Sequence, residues 1–395
     1  MNLIKNSDFL DLQVVVTGAH LSPEFGNTFE LISKDGFFID KKVDMLLSSD
    51  SDRAIAKSIG LSIIGFSDAF YDLKPDIIIL TGDRYEMVAA STVACALKIK
   101  IAHLHGGEIT EGAYDDAFRH SITKMSYLHF VATSSYRNRV IQMGEQPELV
   151  INVGGLSIDS ILNTKILSKN ELENELDYKF QDRNFLVTFH PVTLQPDLGV
   201  GQLNTLLEVL GSLKDTGFIF TMPNADSGGR VFHKMIISFC SLHRNALFYN
   251  SLGQQKYYSC LHYFDCVIGN SSSGIVEAPT FRKVSINIGN RQSGRDKSKS
   301  VIDCSAEKKA INRAIKTAFS DEFQFALKSV KNVYGDGGAH KKILEYLENY
   351  NNNSLVKKFY VIDNFGLFGN QYRDRCTQVA GEGNRRGESD RIWRV

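Results

Sequence analysis

Short runs of apolar residues recur along the chain, and small or polar residues follow each of them. The runs are rich in Val, Ile and Phe, a composition that predicts buried strands. They are LQVVVTG, PDIIILTGD, KIAHLHGG, LHFVAT, FLVTFHP, FIFTMPN, FDCVIGN and VSINIGN.

Longer segments with helical spacing lie between these runs, for example those beginning at Arg84, Asp116 and Gly201. Strands that alternate with helices predict parallel sheets covered on both faces, the doubly wound α/β class. We predict two Rossmann-like domains facing a cleft, over residues 1–165 and 166–350. After about Tyr360 the sequence becomes rich in Gly and Arg and lacks sustained periodicity, and we predict that residues 351–395 form a largely irregular tail.

Length and charge agree with this organisation. At 395 residues the chain exceeds what one hydrophobic core usually supports. Lys plus Arg and Asp plus Glu each total 45, so the formal net charge of zero gives no electrostatic argument for nucleic acid or an anionic membrane. No apolar run approaches the roughly 20 residues of a membrane span. We therefore predict a cytoplasmic protein with reduced cysteines, mostly in the core.

The segment FDCVIGNSSSGIVEAP runs from an apolar strand into Gly269, Asn270 and three serines before a helix-compatible stretch. Glycine permits close backbone approach, and N–H groups at a helix N-terminus and serine hydroxyls donate to anions. This pattern predicts a phosphate site at Ser271 and Ser272. A serine N-cap after an ordinary βα turn explains the same pattern equally well.

Three further polar residues could extend that site. Glu277 follows about one helical turn after Ser273 and could accept the hydroxyls of a ribose. Arg291, in NIGNRQSGR, follows another strand and could reach a diphosphate. Asn224 in PNADSGG also follows a strand, although Asn-rich turns need no function. Each residue is weak support alone, and the three together are stronger.

A second polar group lies in the first half of the chain, with one member in the second half. Its members are Asp83, Arg84, His105, Glu108, Asp115, Asp116 and His190. Carboxylates and imidazoles at the mouth of one sheet are suited to proton transfer. Asp115 and Asp116 could instead cap a helix, and a lone histidine such as His190 is more often structural.

Several common catalytic motifs are absent from the sequence. It contains no GxxxxGK[ST], GxGxxG, HExxH or GxSxG. Kinase-like, nicotinamide-dependent, zinc-protease and α/β-hydrolase functions therefore lose their main support, and nucleotide-sugar chemistry remains.

Taken in order, the motifs closely resemble the UDP-N-acetylglucosamine 2-epimerases, particularly the hydrolysing branch of sialic acid synthesis. The resemblance covers residues 12–358. It rests on VVVTGAHLSPEFGNTFE, LTGDRYE, HLHGGEITEGAYDDAFRHSITK, FHPVT, PNADSG, IGNSSSGIVEAP and NIGNRQSGR.

This resemblance implies a glycosyltransferase-B-like fold and a homodimer or homotetramer, with no metal or redox cofactor. It implies elimination of UDP from UDP-N-acetylglucosamine to give 2-acetamidoglucal, followed by hydration to N-acetylmannosamine. Asp83, Asp115 and His190 fall on family catalytic positions, with Glu108 and His105 ranked below them. The positions that bind the UDP-sugar are Arg84, Asn224, Ser271, Ser272, Glu277 and Arg291.

Two departures from the family affect what we expect of this chain. Many members have Glu where His105 stands, so the role of that carboxylate passes to His105, to Glu108 or to neither. The family's first strand and its TGxRAxYG loop have no counterpart at the start. About 25 residues are involved, most of the strand, turn and helix of a βαβ unit of roughly 30. We expect a misassigned start codon or a truncated gene copy.

Three functions remain open at this point, and a glycosyltransferase is a distant fourth, because the carboxylate-rich first domain suits proton transfer better than activation of an acceptor. The first is hydrolysis of UDP-N-acetylglucosamine with epimerisation at C2. The second is the same chemistry on a UDP-2,4-diacetamido sugar. The third is a weakly active or inactive UDP-binding remnant.

Overall fold

The computed structural model describes residues 1–222, 228–350 and 354–362. The strands are Val15–Thr17 (β1), Lys41–Val43 (β2), Ile77–Thr81 (β3), Lys100–Leu104 (β4), Leu128–Val131 (β5), Val150–Asn152 (β6), Arg183–Thr188 (β7), Thr216–Thr221 (β8), Ala246–Tyr249 (β9), Cys266–Gly269 (β10), Val284–Ile288 (β11) and Val301–Cys304 (β12).

The α-helices are Asn2–Lys5 (α1), Phe29–Lys34 (α2), Asp52–Leu73 (α3), Tyr85–Ala96 (α4), Asp115–Met125 (α5), Ser134–Gln142 (α6), Leu156–Asn163 (α7), Lys169–Glu175 (α8), Val200–Gly211 (α9), Gly229–Leu242 (α10), Gly253–Tyr263 (α11), Ser273–Val276 (α12), Lys308–Ala318 (α13), Asp321–Leu327 (α14) and Ala339–Glu348 (α15). Short 3-10 helices span Gly18–Leu21, Pro23–Phe25, Pro147–Leu149 and Ala278–Phe281. Strands and helices alternate as the sequence predicts.

The second domain is built on a parallel sheet with the strand order β12-β11-β10-β7-β8-β9. The order reverses between β7 and β10, and such a switch point opens a crevice beyond the carboxyl ends of the two strands. Gly269, the last residue of β10, has φ +143°, and a Cβ there would collide with the carbonyl of Thr188 at the end of β7. The close approach at the crevice therefore requires glycine.

Both faces of this sheet are buried. On β7, Phe185 and Val187 pack with α9, α10 and α13, while the intervening Leu186 packs with α8 and α11. Successive side chains of a strand point to opposite faces, so a strand covered on both faces must be apolar throughout. The continuous apolar runs in the sequence have this cause.

The first domain has its parallel strands in two groups. One is β3-β4-β5-β6 and the other is β1-β2. Val15 of β1 packs into the same apolar cluster as Ile78 and Leu80 of β3, although β1 and β3 do not pair with each other. Each of these two strands therefore has one edge without a strand partner among the described residues, and Ile79 of β3 is 38% exposed.

The chain returns to the first domain after completing the second. Ile343 and Leu347 of α15 are buried against Ala102 of β4 and Phe130 of β5. These apolar side chains occur one helical turn apart, so α15 presents a buried stripe to the first sheet. The predicted range 166–350 for the second domain is therefore too long, because residues 339–348 belong with the first domain.

The segment 354–362 also lies on the first domain. Its Lys357 Nζ is 2.6 Å from the buried Glu145 carboxylate, and Tyr360 N donates to the Gly144 carbonyl at 2.8 Å. The segment has no helix or strand. The rest of the predicted tail, at 351–353 and 363–395, lies outside the described residues.

The predicted core placement of the cysteines is confirmed for only two of the five that lie in the described residues. Cys260 and Cys266 are buried and Cys240 and Cys304 are half-buried, whereas Cys95 is exposed and departs from the predicted core placement. Burial raises the pKa of the Cys260 thiol to about 12. No helix in the described part of the chain has the length and apolar character needed to span a membrane.

Candidate active site

The predicted acid and base residues of the first domain lie where its strands end. Asp83 and Arg84 follow β3, and His105 follows β4 with a left-handed φ of +66°. Arg84 is the N-cap of α4, and its Nε donates to the Glu86 carboxylate at 3.2 Å. Asp115 is the first residue of α5. Strand ends of one parallel sheet share an edge, so these residues collect on one side of the domain.

A buried arginine joins several of these groups. Arg119 of α5 is 1% exposed, and its guanidinium donates to the carboxylate of Asp83. It also donates to the Glu108 carbonyl at 2.9 Å, to the Thr110 hydroxyl at 2.9 Å and to Asp116 at 3.3 Å. A planar guanidinium with five donors can hold this many acceptors in fixed directions.

Glu108 forms a second buried cluster that reaches the other domain. Its Oε1 is 2.9 Å from Nδ1 of His105, and its Oε2 accepts a hydrogen bond from Arg295, which follows β11. Burial opposes ionisation of this carboxyl, but the Arg295 charge and the His105 contact hold the pKa of Glu108 well below its usual range. Glu108 is therefore a permanent carboxylate at neutral pH.

The turn that carries Asp83 is supported from behind by His103. Its Nε2 is 2.8 Å from the Gly82 carbonyl and its Nδ1 is 3.1 Å from the Thr123 hydroxyl. Burial lowers the pKa of His103 to about 3, so the ring is neutral. A carbonyl only accepts, so Nε2 carries the hydrogen and Thr123 donates to Nδ1. Neutral His103 thus fixes the residue next to Asp83.

In the second domain, Asn270 connects the predicted residues at the switch point. Its Oδ1 accepts from the backbone N–H of His190 at 2.6 Å, and its Nδ2 donates to the His190 carbonyl at 2.8 Å. Its own carbonyl accepts from Nη1 of Arg291 at 3.3 Å and from Gln292 at 2.9 Å. Asn270 thereby places His190 and Arg291 at the same crevice.

The serine-rich loop continues from Asn270 into a single turn of helix, α12. Ser271 Oγ accepts from the Ser273 N–H at 3.4 Å, and Ser272 makes no side-chain cap. Ser272 therefore makes no N-cap bond, whereas Ser271 accepts a hydrogen bond of the kind that caps a helix, so the serine N-cap stays an alternative to the phosphate site. Only one helical turn follows, so the predicted contribution of a helix dipole is small and the anion site depends on the loop itself.

Glu277 accepts a hydrogen bond from one hydroxyl group, and a second hydroxyl group contacts the first. Ser273 Oγ donates to its Oε2 at 2.5 Å, and the Tyr257 hydroxyl contacts the same Ser273 Oγ. Ser273 has one hydrogen to donate, so Tyr257 is the donor in the second contact. Burial raises the pKa of Glu277. The arrangement fixes one carboxylate oxygen, while carboxylates can accept further hydrogen bonds.

A cavity of about 330 Å³ lies between the two domains. Its walls include Glu24, Asp50 and Tyr85 from the first domain and Arg230 and Asn250 from the second. Tyr85 adjoins the predicted site residue Arg84. The predicted residue Asn224 lies outside the described residues.

Asn270, Arg119 and Arg295 are among the residues that shape this site without having been predicted. Asn270 lies in the motif IGNSSSG but had no predicted role. Arg119 lies one helical turn after Asp115, and Arg295 is the last residue of the motif NRQSGR. The helical spacing of Arg119 from Asp115 placed it on the same face, and this was the available signal. Nothing in the sequence marked the contact of Arg295 with Glu108.

Two parallel-sheet domains with polar residues at facing strand ends define a glycosyltransferase-B-like protein. Residues 2–348 match the family model of UDP-N-acetylglucosamine 2-epimerase, and the chain belongs to this family. This confirms the resemblance and the fold class predicted from the motifs.

Two relatives and one solved structure illustrate the match. The chain is 43% identical over 323 residues to a hydrolysing GDP/UDP-N,N'-diacetylbacillosamine 2-epimerase of Campylobacter jejuni, covering 81% of this chain and 83% of the relative. It is 35% identical to the polysialic acid biosynthesis protein P7 of Escherichia coli, covering 92% and 93%. A Neisseria meningitidis UDP-GlcNAc 2-epimerase bound to UDP-GlcNAc has a TM-score of 0.74 at 20% identity, covering 88% and 94%.

Proposed function

We propose that this protein is a hydrolysing 2-epimerase of a UDP-linked 2-acetamido sugar. One observation carries the proposal. The Glu108 carboxylate contacts His105 in the first domain and accepts a hydrogen bond from Arg295 of the second. Arg295 lies on the same loop as Arg291, which donates to the Asn270 carbonyl at the switch point. Proton transfer groups beside an anion site suit elimination of a nucleoside diphosphate.

The reaction proceeds in two stages. A base removes the C2 proton, the C1–O bond breaks, and UDP leaves with the electron pair to give a C1–C2 double bond. Water then adds hydroxyl to C1 while an acid delivers a proton to the opposite face of C2. The products are UDP and the free sugar with inverted configuration at C2.

The residues divide between these tasks by their positions. Asp83, Asp115 and His105 supply proton transfer from the first domain and His190 from the second. Leaving-group charge and the nucleotide are bound by Arg84, Asn224, Ser271, Ser272, Glu277 and Arg291. More than one acid or base is needed, because protons leave and return on different faces of the sugar.

Two sugars are candidates for the substrate. UDP-N-acetylglucosamine, giving N-acetylmannosamine for sialic acid synthesis, is supported by the 35% identical relative named for polysialic acid biosynthesis. UDP-N,N'-diacetylbacillosamine, a 2,4-diacetamido sugar, is supported by the 43% identical relative named for that substrate. The higher identity favours the diacetylated sugar.

The test is incubation of the protein with each UDP-sugar in D₂O, followed by NMR of the sugar and measurement of UDP release. We expect free sugar with deuterium at C2 and one equivalent of UDP, with kcat/KM higher for the diacetylated substrate. The Asp83→Asn variant should lose turnover by at least about 100-fold, the usual contribution of an acid or base.

Each other outcome selects a different function. An epimerised sugar still attached to UDP would contradict hydrolysis. UDP binding without turnover of either sugar would leave the UDP-binding remnant as the function.

We also propose a homo-oligomer, dimeric or tetrameric. Helix α3 exposes Leu61, Ile64 and Tyr71 to 42%, 64% and 71%, and helical spacing places the three on one face. An exposed apolar stripe of this kind supports association with another chain. Light scattering after size-exclusion chromatography measures the mass, and a monomer would contradict the proposal.

A further inference from the structure

The buried Glu108 carboxylate contacts side chains from both domains. One oxygen contacts His105 of the first domain and the other accepts from Arg295 of the second, and the side chains of Glu108 and Arg295 are only 6% and 8% exposed. We propose that Arg295 is a positioning residue that acts through Glu108 to fix the His105 ring for proton transfer. This inference rests on the proposed function.

The contact determines where the His105 ring carries its hydrogen. Glu108 is a carboxylate, which only accepts hydrogen bonds, so Nδ1 of His105 must be the donor. In the neutral ring the lone pair then lies on Nε2. The side chain keeps 21% of its exposure, and Nε2 has no hydrogen-bond partner among the described residues. Nε2 is thus the nitrogen available to a substrate.

Arg295 supplies the positive charge that keeps the buried Glu108 carboxyl ionised. An isolated buried carboxylate would take up a proton, and a protonated Glu108 would no longer fix the tautomer of His105. Arg119 contacts the backbone carbonyl of Glu108, not its carboxylate. Arg295 reaches the carboxylate itself, and its second nitrogen is 3.3 Å from the Thr110 hydroxyl.

The loop that carries Arg295 is anchored on the first domain by its next residue. Asp296 accepts a hydrogen bond from the Thr133 hydroxyl at 2.7 Å, and its backbone N–H donates to the Tyr136 hydroxyl at 3.0 Å. Arg291, four residues earlier, belongs to the predicted diphosphate site. One loop therefore serves both the anion site and the His105 cluster.

The experiment compares Arg295→Gln and Arg295→Lys with Asp296→Ala. The Asp296 variant loosens the same loop but leaves Glu108 and its partners in place. It therefore controls for effects of the loop's anchoring on the position of the two domains. We expect Arg295→Gln to lower kcat by about 100-fold, the effect of misplacing a reacting group by about 1 Å. KM and UDP affinity should change far less, because the lost interaction serves the transition state. Arg295→Lys should restore at least part of kcat.

Proton and ¹⁵N NMR of labelled histidine provides a readout that needs no turnover. We expect a hydrogen-bonded Nδ1–H signal of His105 in the parent and in Asp296→Ala, assigned by its loss in His105→Gln. This signal should shift or disappear in Arg295→Gln and persist in Arg295→Lys.

Two results would overturn the inference. One is an unchanged His105 signal in Arg295→Gln, and the other is an equal fall in kcat for Asp296→Ala and Arg295→Gln. If the parent protein releases no UDP from either sugar, the proposed function fails, while the NMR comparison still decides the role of Arg295.

Discussion

Within the described residues, two ion pairs cross the cleft between the domains, and they differ in burial. Arg295 and Glu108 have side chains that are 8% and 6% exposed, whereas Arg230 and Glu24 are 45% and 51% exposed. The backbone N–H of Arg230 also donates a hydrogen bond across the cleft, to the Asp50 carboxylate at 3.1 Å. The side chains of the first pair are shielded from water, and those of the second pair remain solvated.

This difference determines what each pair does for the fold. An exposed pair gains little, because water screens its charges and the long side chains lose freedom. A buried pair is not strongly stabilising as a whole, but removing one partner leaves an uncompensated charge away from water. We therefore expect the Glu108 pair to favour one arrangement of the domains, and the Arg230 pair to contribute little to that choice.

Replacing Glu108 should have the largest effect on stability. Glu108→Gln leaves the Arg295 guanidinium buried without a counter-charge, and we expect a loss of about 3 kcal/mol in the free energy of unfolding. Glu24→Gln is the matched control and should cost no more than about 0.5 kcal/mol. Urea denaturation of both variants and the parent measures the difference. Equal losses would show that burial does not separate the two pairs.

The pH dependence of that loss is the second test. The pKa of Glu108 is lowered in the folded protein from 4.5, the value of an unperturbed Glu. The unfolded chain then binds the proton more readily, so the charged group stabilises the fold above pH 4.5. The stability difference between parent and Glu108→Gln should stay constant from neutral pH down to that point and shrink below it. Urea unfolding across this range measures it, and a difference that grows on acidification would contradict the sign.

The smallest effect is expected at Arg230. Arg230→Gln should change the free energy of unfolding by less than about 0.5 kcal/mol at physiological salt. Any difference should fade in 1 M salt, where the screening length is only about 3 Å. Thermal unfolding at low and high salt measures this. A larger effect that persists in high salt would show that the Arg230 pair contributes to stability in the way expected of the buried pair.

The sequence predicted the layers of the fold well, because burial on both faces forces strands such as β7 and β8 to be apolar through their centres. It also predicted where polar groups collect, since loops after parallel strands meet at one edge. It did not predict where α15 packs. An amphipathic pattern shows that a helix has a buried face, but it does not show which sheet covers it.

The unpredicted contacts of the site have the same origin. Arg119 lies 36 residues from Asp83 along the chain, and Arg295 lies 187 residues from Glu108. An arginine in a helix or a loop is usually a surface residue, so its type alone predicts no partner. Only the fold brings such distant residues together.

The return of the chain to the first domain gives the molecule two covalent crossings, and they lie side by side. The first enters α7, where Gly155 N donates to the Tyr334 carbonyl of the second crossing at 2.8 Å. Asp159 of α7 accepts from the backbone N–H groups of Gly338 and His340. Two adjacent connections restrict the rotation of one domain relative to the other more than a single connection would. A single protease cut in either crossing would leave the two domains joined by the other.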